Sequence, residues 1–306
     1  TSPPYLGLRD YGVAGQIGIE PTLSEHLEVM VRVMREVRRV LRKAGTLWLN
    51  YGDCYATAPN GRSAADTKAI GNDDRTFRDK PFSTVQGSLK PKDLCMVPNR
   101  LAIALQDDGW WVRSEIIWHK PNPMPESIKD RPGTSHEKIW LLSKSEHYFY
   151  DNEAVAEDAV YVGLTGQDAN GLKNPLRFDG KMARAKKQDS YGKRHAGFNA
   201  RWDEAKARGE CSTTRNLRNV WTIPTAPFSE AHFATFPPEL VERCIKAGSP
   251  LWGTILDPFG GSGTTGLVAD RLKRNAILIE LNPEYVAMAK RRIEQDCPMF
   301  VDLNIG

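Results

Sequence analysis

Residues 254–282 carry the densest set of groups able to hold a ribose-bearing small molecule. A short apolar run, Thr254-Ile255-Leu256, ends at Asp257, and Gly260, Gly261 and Gly263 follow. Glycines in such a run let the backbone turn sharply and come close to a ligand. Residues 264–272 have the pattern of a helix packed on a sheet, and 276–279 read as a second buried strand. Glu280 stands at the carboxyl end of that strand, where an acid can accept both ribose hydroxyls. The stretch Gly261-Ser262-Gly263-Thr264-Thr265-Gly266 satisfies G-x-G-x-x-G, and no Lys follows the glycines, which argues against a P-loop. Alone, the segment fits a nicotinamide dinucleotide, another adenosine-bearing cofactor, or a tight strand-to-helix turn with no ligand.

A second candidate lies at the other end of the chain, at Ser2-Pro3-Pro4-Tyr5. Two consecutive prolines hold the backbone extended and donate no hydrogen bonds, so their carbonyls are left to accept. Ser2 adds a hydroxyl and Tyr5 a flat ring. Acceptors aimed at an exocyclic amine, with a ring on its face, suit the grip of a planar base.

Alternating helices and apolar strands must position these groups. Residues 23–43 form the clearest helix, with Thr22 or Ser24 as cap and Gly45 as its end. Residues 46–50 read as a strand with Tyr51-Gly52-Asp53 at its carboxyl end, and 93–109 as a second helix. Strands are expected at 112–118 and 137–142, the latter paired with 147–150, and 56–91 read as a long loop near the site. The expected fold is therefore α/β: an open, mostly parallel, doubly wound (Rossmann-like) sheet with its ligand at the carboxyl ends of the strands. Asp257, Glu280, Asn50 and Trp118 would converge there. Asn50 and Asp53 are weaker candidates, since polar residues at strand ends are as often turn formers.

Composition narrows the class. The five cysteines form no C-x-x-C pair and the six histidines form no H-x-x-x-H cluster, so neither a metal site nor a disulfide framework is expected, and a reducing cytosol is. No apolar run approaches the length of a membrane span. The net charge of +4 is unevenly placed: residues 173–218 hold thirteen Lys or Arg against five acids, a local +8 that leaves −4 elsewhere. Tyr191, His195, Phe198 and Trp202 interleave with that run. Basic and aromatic side chains together suit phosphates and unstacked bases, whereas a bare charge run is usually a solvated surface.

Taken together and in this order, the two motifs resemble the beta class of amino-methylating DNA methyltransferases, in which the catalytic motif precedes the cofactor motif. That family's catalytic tetrapeptide, Ser/Asp-Pro-Pro-Tyr, is matched by Ser2, Pro3, Pro4 and Tyr5. Its loop Asp-Pro-Phe-x-Gly-Ser-Gly-Thr-Thr is matched by Asp257 to Thr265, and its following acid by Glu280. The similarity extends through 7–12, 116–125 and 232–237 and covers nearly the whole chain outside about 155–220.

The resemblance implies S-adenosyl-L-methionine as cofactor, held by Asp257, Phe259, Gly260, Gly261, Ser262, Gly263, Thr264, Glu280 and Asn282, with Phe236 bordering the methionine end. It implies double-stranded DNA with a flipped target base as substrate, and His119, Lys120, Asn122, Lys186, Lys187, Lys193, Arg194 and Arg201 as DNA-contact residues. The expected division is a catalytic half at 1–150, a target-recognition insert at 151–225 and a cofactor half at 226–306. The protein would be cytoplasmic, of bacterial or phage origin, with a homodimer and a restriction endonuclease partner as options. Ser at the first tetrapeptide position favours cytosine N4 over adenine N6. A nicotinamide oxidoreductase and a non-catalytic DNA-binding subunit remain as alternatives from other classes. In the family the tetrapeptide ends a sheet strand whose residues would precede Thr1. Either an upstream piece outside this chain or another element is therefore expected to fill that place.

Overall fold

The structure is a computed structural model that describes residues 1–8, 11–56, 85, 87–158, 214–225 and 236–296. The chain divides into two compact units, one formed by 1–154 with 218–306 and the other by 155–217. In the second unit the described residues form one short antiparallel pair, β4 (Glu157–Asp158) with β5 (Thr214–Arg215).

The first unit contains a four-stranded sheet with β1 (Thr46–Tyr51), β3 (His136–Ser143), β2 (Trp111–His119) and β6 (Val220–Thr222) as neighbours in that order. A separate parallel pair joins β7 (Thr254–Asp257) to β8 (Asn275–Leu278). The fold is α/β and Rossmann-like as expected, but the strand pairing is mixed. β3 runs antiparallel to both β1 and β2, whereas β2–β6 is parallel. Residues 120–135 connect β2 to β3 without a helix, and a helix-free connection favours an antiparallel return. The expected partner of β3 at 147–150 is corrected: those residues form no strand, and the Phe149 amide instead donates to the Ala44 carbonyl.

Alternation along the strands builds the core. Leu47, Leu49 and Tyr51 of β1, with Trp140 and Leu142 of β3, face Met30, Met34 and Val37 of α1 (Leu23–Val40) and Leu101 and Leu105 of α2 (Val97–Asp107). Trp48 takes the other face, where its ring lies 6.1 Å from that of buried Trp221 on β6. Each fully buried Leu or Met side chain contributes about 1.5–3 kcal/mol relative to exposure. α1 is capped by Thr22, whose side chain accepts from the Glu25 amide, and it ends at Leu41, whose ψ of 136° is already extended. α2 starts later than its sequence pattern suggested, since Val97 is where the Asp53 carboxylate accepts its amide at 3.1 Å.

A second cluster forms around β7 and β8, where Val241 and Ile245 of α3 (Pro238–Gly248) pack with Leu267 and Val268 of α4 (Thr264–Arg271) and Ile293 of α5 (Pro283–Asp296). No described helix is long and apolar enough to cross a membrane.

Candidate active site

Thr1 pairs alongside β1. The Thr1 nitrogen donates to the Trp48 carbonyl at 2.9 Å and the Asn50 amide donates to the Thr1 carbonyl at 3.0 Å, a parallel ladder contact. Beyond it the double proline turns the chain over the end of β1. The Tyr5 ring packs at 4.6 Å on Tyr51, and a Cβ on Gly52 would come within 2.7 Å of the Tyr5 ring, so position 52 must stay bare.

The turn is held from below by a buried polar chain. The Tyr51 hydroxyl accepts the Leu6 amide at 3.1 Å and lies 3.4 Å from the Pro4 carbonyl. Nε2 of fully buried His26 lies 2.6 Å from the same hydroxyl, and its Nδ1 lies 2.7 Å from Glu20. Burial pushes the Tyr51 phenol far above its usual range, so it stays protonated. Burial also works to raise the Glu20 carboxyl, but the bonds from His26 and from backbone amides outweigh it and hold it below its usual value.

Above the turn, Ser2 Oγ and the Tyr5 hydroxyl are 3.3 Å apart, and Tyr5 donates to Glu137 at 2.9 Å. Glu137 also accepts from the Asn50 side-chain amide at 3.1 Å and pairs with Lys120, whose ammonium lies 4.3 Å from the centre of the Trp118 ring. Desolvation first, and then the adjacent Glu137 charge, raise the Tyr5 phenol well above its usual value. It is therefore a donor, not a phenolate.

The glycine turn lies at the end of β7. Asp257 is fully buried and accepts from three protein donors: Thr1 Oγ1 at 2.5 Å, the Phe259 amide at 3.1 Å and Thr265 Oγ1 at 2.6 Å. The first of these ties the two candidate motifs together. Gly261 and Gly263 both have positive φ, 51° and 78°. A side chain on Gly263 would also strike Ala289, with Cβ atoms 2.6 Å apart. Glu280 accepts the Gly261 amide at 2.7 Å and the Asn282 amide at 2.8 Å, which fixes the acid beside the turn. Arg292, from α5, donates to Ser262 Oγ at 2.8 Å and to Thr264 Oγ1 at 3.3 Å.

The remaining candidates divide. Asn282 accepts the Glu284 amide and so caps α5, while Asp53 accepts the amides of Cys54 and Val97. Phe236 packs against the cluster of α3 and α4. His119 lies 3.1 Å from Thr222 Oγ1, and Asn122 exchanges two hydrogen bonds with the Thr225 backbone. Trp118, expected among the converging site groups, is buried, donates to the Ile223 carbonyl at 2.8 Å and lies under the Lys120 ammonium. Lys186, Lys187, Lys193, Arg194 and Arg201 lie outside the described residues, as does most of the expected loop at 56–91. Among the described residues no group of His, Cys, Asp or Glu could hold a metal. Burial pushes the Cys244 thiol up to about 12, the reverse of an activated nucleophile.

Sequence reasoning missed Glu137, Glu20, His26 and Arg292. For His26 a signal existed: it occupies the same helical stripe as Met30 and Met34, and a polar residue on a buried stripe needs a partner.

Comparison with known proteins gives the family. A family model described as DNA methylase, for N6 and N4 methyltransferases, matches residues 1–291. The type II methyltransferase M.XycI of Xanthomonas campestris pv. cyanopsidis is 44% identical over 294 residues, which is 96% of this chain and 80% of that protein. M.SmaI of Serratia marcescens is 43% identical over 293 residues, 96% of this chain and 82% of its own length. The solved PvuII cytosine-N4-specific DNA methyltransferase shares the fold, with a TM-score of 0.57 at 20% identity over 100% of this chain and 79% of that one. A putative DNA modification methylase of Thermus thermophilus, solved with S-adenosyl-L-methionine, also shares it, with a TM-score of 0.51 at 24% identity over 98% and 86% of the two chains. The chain belongs to the DNA methylase family of N6 and N4 methyltransferases.

Proposed function

We propose that this DNA methyltransferase moves a methyl group from S-adenosyl-L-methionine to the exocyclic amine of a base extruded from duplex DNA, with cytosine N4 as target in preference to adenine N6. The observation that carries the reading is the Thr1–Asp257 hydrogen bond, which sets the amine-gripping turn beside the glycine turn. Ser at position 2 carries the preference for cytosine.

The residues at the end of β7 fit the cofactor. Gly260 and Gly261 leave the backbone bare, Phe259 offers an apolar face, and Glu280 stands at the end of β8 in the place where an acid meets ribose hydroxyls. Asp257, Phe259 to Thr264, Glu280 and Asn282 would hold it, with Phe236 at its methionine end. When bound, the cofactor supplies an electrophilic methyl group on a sulfonium.

The chain's own residues then do the rest. An aromatic amine is a poor nucleophile because its lone pair is delocalised into the ring. Ser2 Oγ and the Pro3 carbonyl accept its N–H groups and favour a more tetrahedral nitrogen. Extrusion of the base costs a few kcal/mol, and contact with the Tyr5 ring returns about 1–3 kcal/mol. Alignment of nitrogen and methyl supplies much of the remaining acceleration.

The second unit, with all but the last residue of the basic and aromatic run at 173–218, serves target recognition in this reading, and His119, Lys120 and Asn122 line the DNA side. Family membership sets aside the nicotinamide enzyme and the non-catalytic subunit. A cytoplasmic location, a cognate restriction endonuclease and a homodimer belong to the same proposal. Nucleoside mass spectrometry of DNA incubated with protein and cofactor tests it. N4-methylcytosine is the expected product, N6-methyladenine would reverse the base preference, and unmodified DNA would defeat the reading.

A further inference from the structure

We infer, building on the methyl-transfer reading, that Glu137 is a positioning residue: it sets the direction of hydrogen bonding through Tyr5 and so makes Ser2 an acceptor that selects an amine over a carbonyl.

The argument is a count of protons. A phenol has one proton to give, and an ionised carboxylate can only accept. Tyr5 lies 2.9 Å from Glu137 Oε2 but 3.5 Å from Asn50 Oδ1, so its proton goes to Glu137. The raised phenol pKa keeps that proton in place. With its proton committed, the Tyr5 oxygen is left to accept, and among the described residues the neighbour able to donate is Ser2 Oγ at 3.3 Å. The Ser2 hydroxyl proton thus points toward Tyr5, which leaves its lone pairs to accept from a base set beside it. A base presenting an N–H to Ser2 is matched, whereas one presenting a carbonyl meets lone pair against lone pair. The carboxylate is itself fixed by Asn50 on Oε2 and by Lys120 on Oε1. Lys120 is held in turn over the Trp118 face. Neither motif that marks the family contains Glu137, which reaches the tetrapeptide only because β3 pairs with β1 in the register Asn50 opposite Ile139.

Glu137→Gln tests this with almost no change of shape. A glutamine amide can donate to Tyr5, which turns the Tyr5 proton away and lets the chain run in reverse. Two readouts are needed once the methylated position is mapped. The first is affinity, with S-adenosylhomocysteine present, for DNA carrying either the amine-bearing base or its carbonyl counterpart at the target position. The wild type is expected to prefer the amine, and E137Q to lose about tenfold of that preference relative to wild type. Any effect of the mispair cancels between the two proteins. The second is a split of kinetic constants: kcat falls at least tenfold, while KM for DNA and for cofactor stays within about threefold.

Tyr5→Phe breaks the same chain without disturbing the Lys120–Glu137 pair, so it serves if E137Q fails to fold. The double variant should be no worse than either single one, because both remove one device. An E137Q protein that keeps the amine preference, or additive losses in the double variant, would overturn the inference. A wild type that methylates no DNA would instead defeat the functional reading beneath it.

Discussion

The hydroxyl of Thr1 lies 2.5 Å from Oδ1 of Asp257, a hydrogen bond between groups 256 positions apart in the chain. Asp257 is fully buried and spends its two oxygens on Thr1, Phe259 and Thr265. Replacement by Asn keeps the shape but turns an acceptor into a donor that faces donors. Asp257→Asn should therefore lower stability by about 1–3 kcal/mol and weaken S-adenosylhomocysteine at least tenfold, with nonspecific DNA affinity within about twofold. Isothermal titration and thermal melting read both effects, and unchanged cofactor affinity would remove Asp257 from the binding residues.

Two glycines of the turn make different demands. Gly261 needs only its positive φ, since a Cβ there finds its nearest contact at 4.0 Å. Gly263 needs a positive φ and also has Ala289 at 2.6 Å. Gly261→Ala should cost about 1 kcal/mol, and Gly263→Ala about 2–4 kcal/mol once the clash is added. Comparable melting temperatures for the two variants would contradict this account of the turn.

Arg292 reaches the turn from α5 and bonds both Ser262 and Thr264. Arg292→Met keeps much of the apolar stem and removes these bonds. The expected result is about a tenfold weaker cofactor, equivalent to ~1.4 kcal/mol, with melting lowered only slightly. An unaltered affinity would mean that the loop holds its shape without the clamp.

The buried Glu20–His26 pair predicts an acid limb in stability. Burial tends to raise the Glu20 carboxyl, but hydrogen bonds from His26 and the backbone bring it below its ordinary value of 4.5. Because the folded value is the lower one, the pair's contribution is present above that ordinary value and is lost as pH falls through the folded value. Melting temperature should drop steeply below about pH 4.5, and Glu20→Gln should flatten that drop while lowering stability at neutral pH. A variant with the same acid limb as wild type would show that other carboxylates govern it.

The basic run at 173–218 makes a charge prediction from sequence alone. If Lys193 and Arg194 meet phosphates, their joint replacement by Ala should reduce the slope of log affinity against log salt by roughly 2 and weaken all duplexes alike. Fluorescence anisotropy across a salt series measures this. An unchanged slope would place both residues away from DNA.

What was legible in the two motifs was their backbone geometry. Prolines in tandem, glycines between an apolar run and a helix, and an acid closing the next strand each state a backbone requirement. Strand direction was not legible. Nothing in His136–Ser143 distinguishes an antiparallel β3 from a parallel one, and a nearly continuous buried run suited either. Glu137 was equally hidden, since a charged residue near the start of a strand reads as solvated until register sets it against Asn50 and Tyr5. Asp53 and Asn282 show a structural role that their types alone did not reveal. Both have the composition of ligand-binding residues, and both cap helices.

One phenol, that of Tyr51, meets both the Leu6 amide and the Pro4 carbonyl, with His26 behind it. Much of the geometry of the tetrapeptide is thus borrowed from buried side chains of β1 and α1. Warming that loosens peripheral loops should leave turnover intact, and heat inactivation should coincide with cooperative collapse of the whole first unit instead of preceding it.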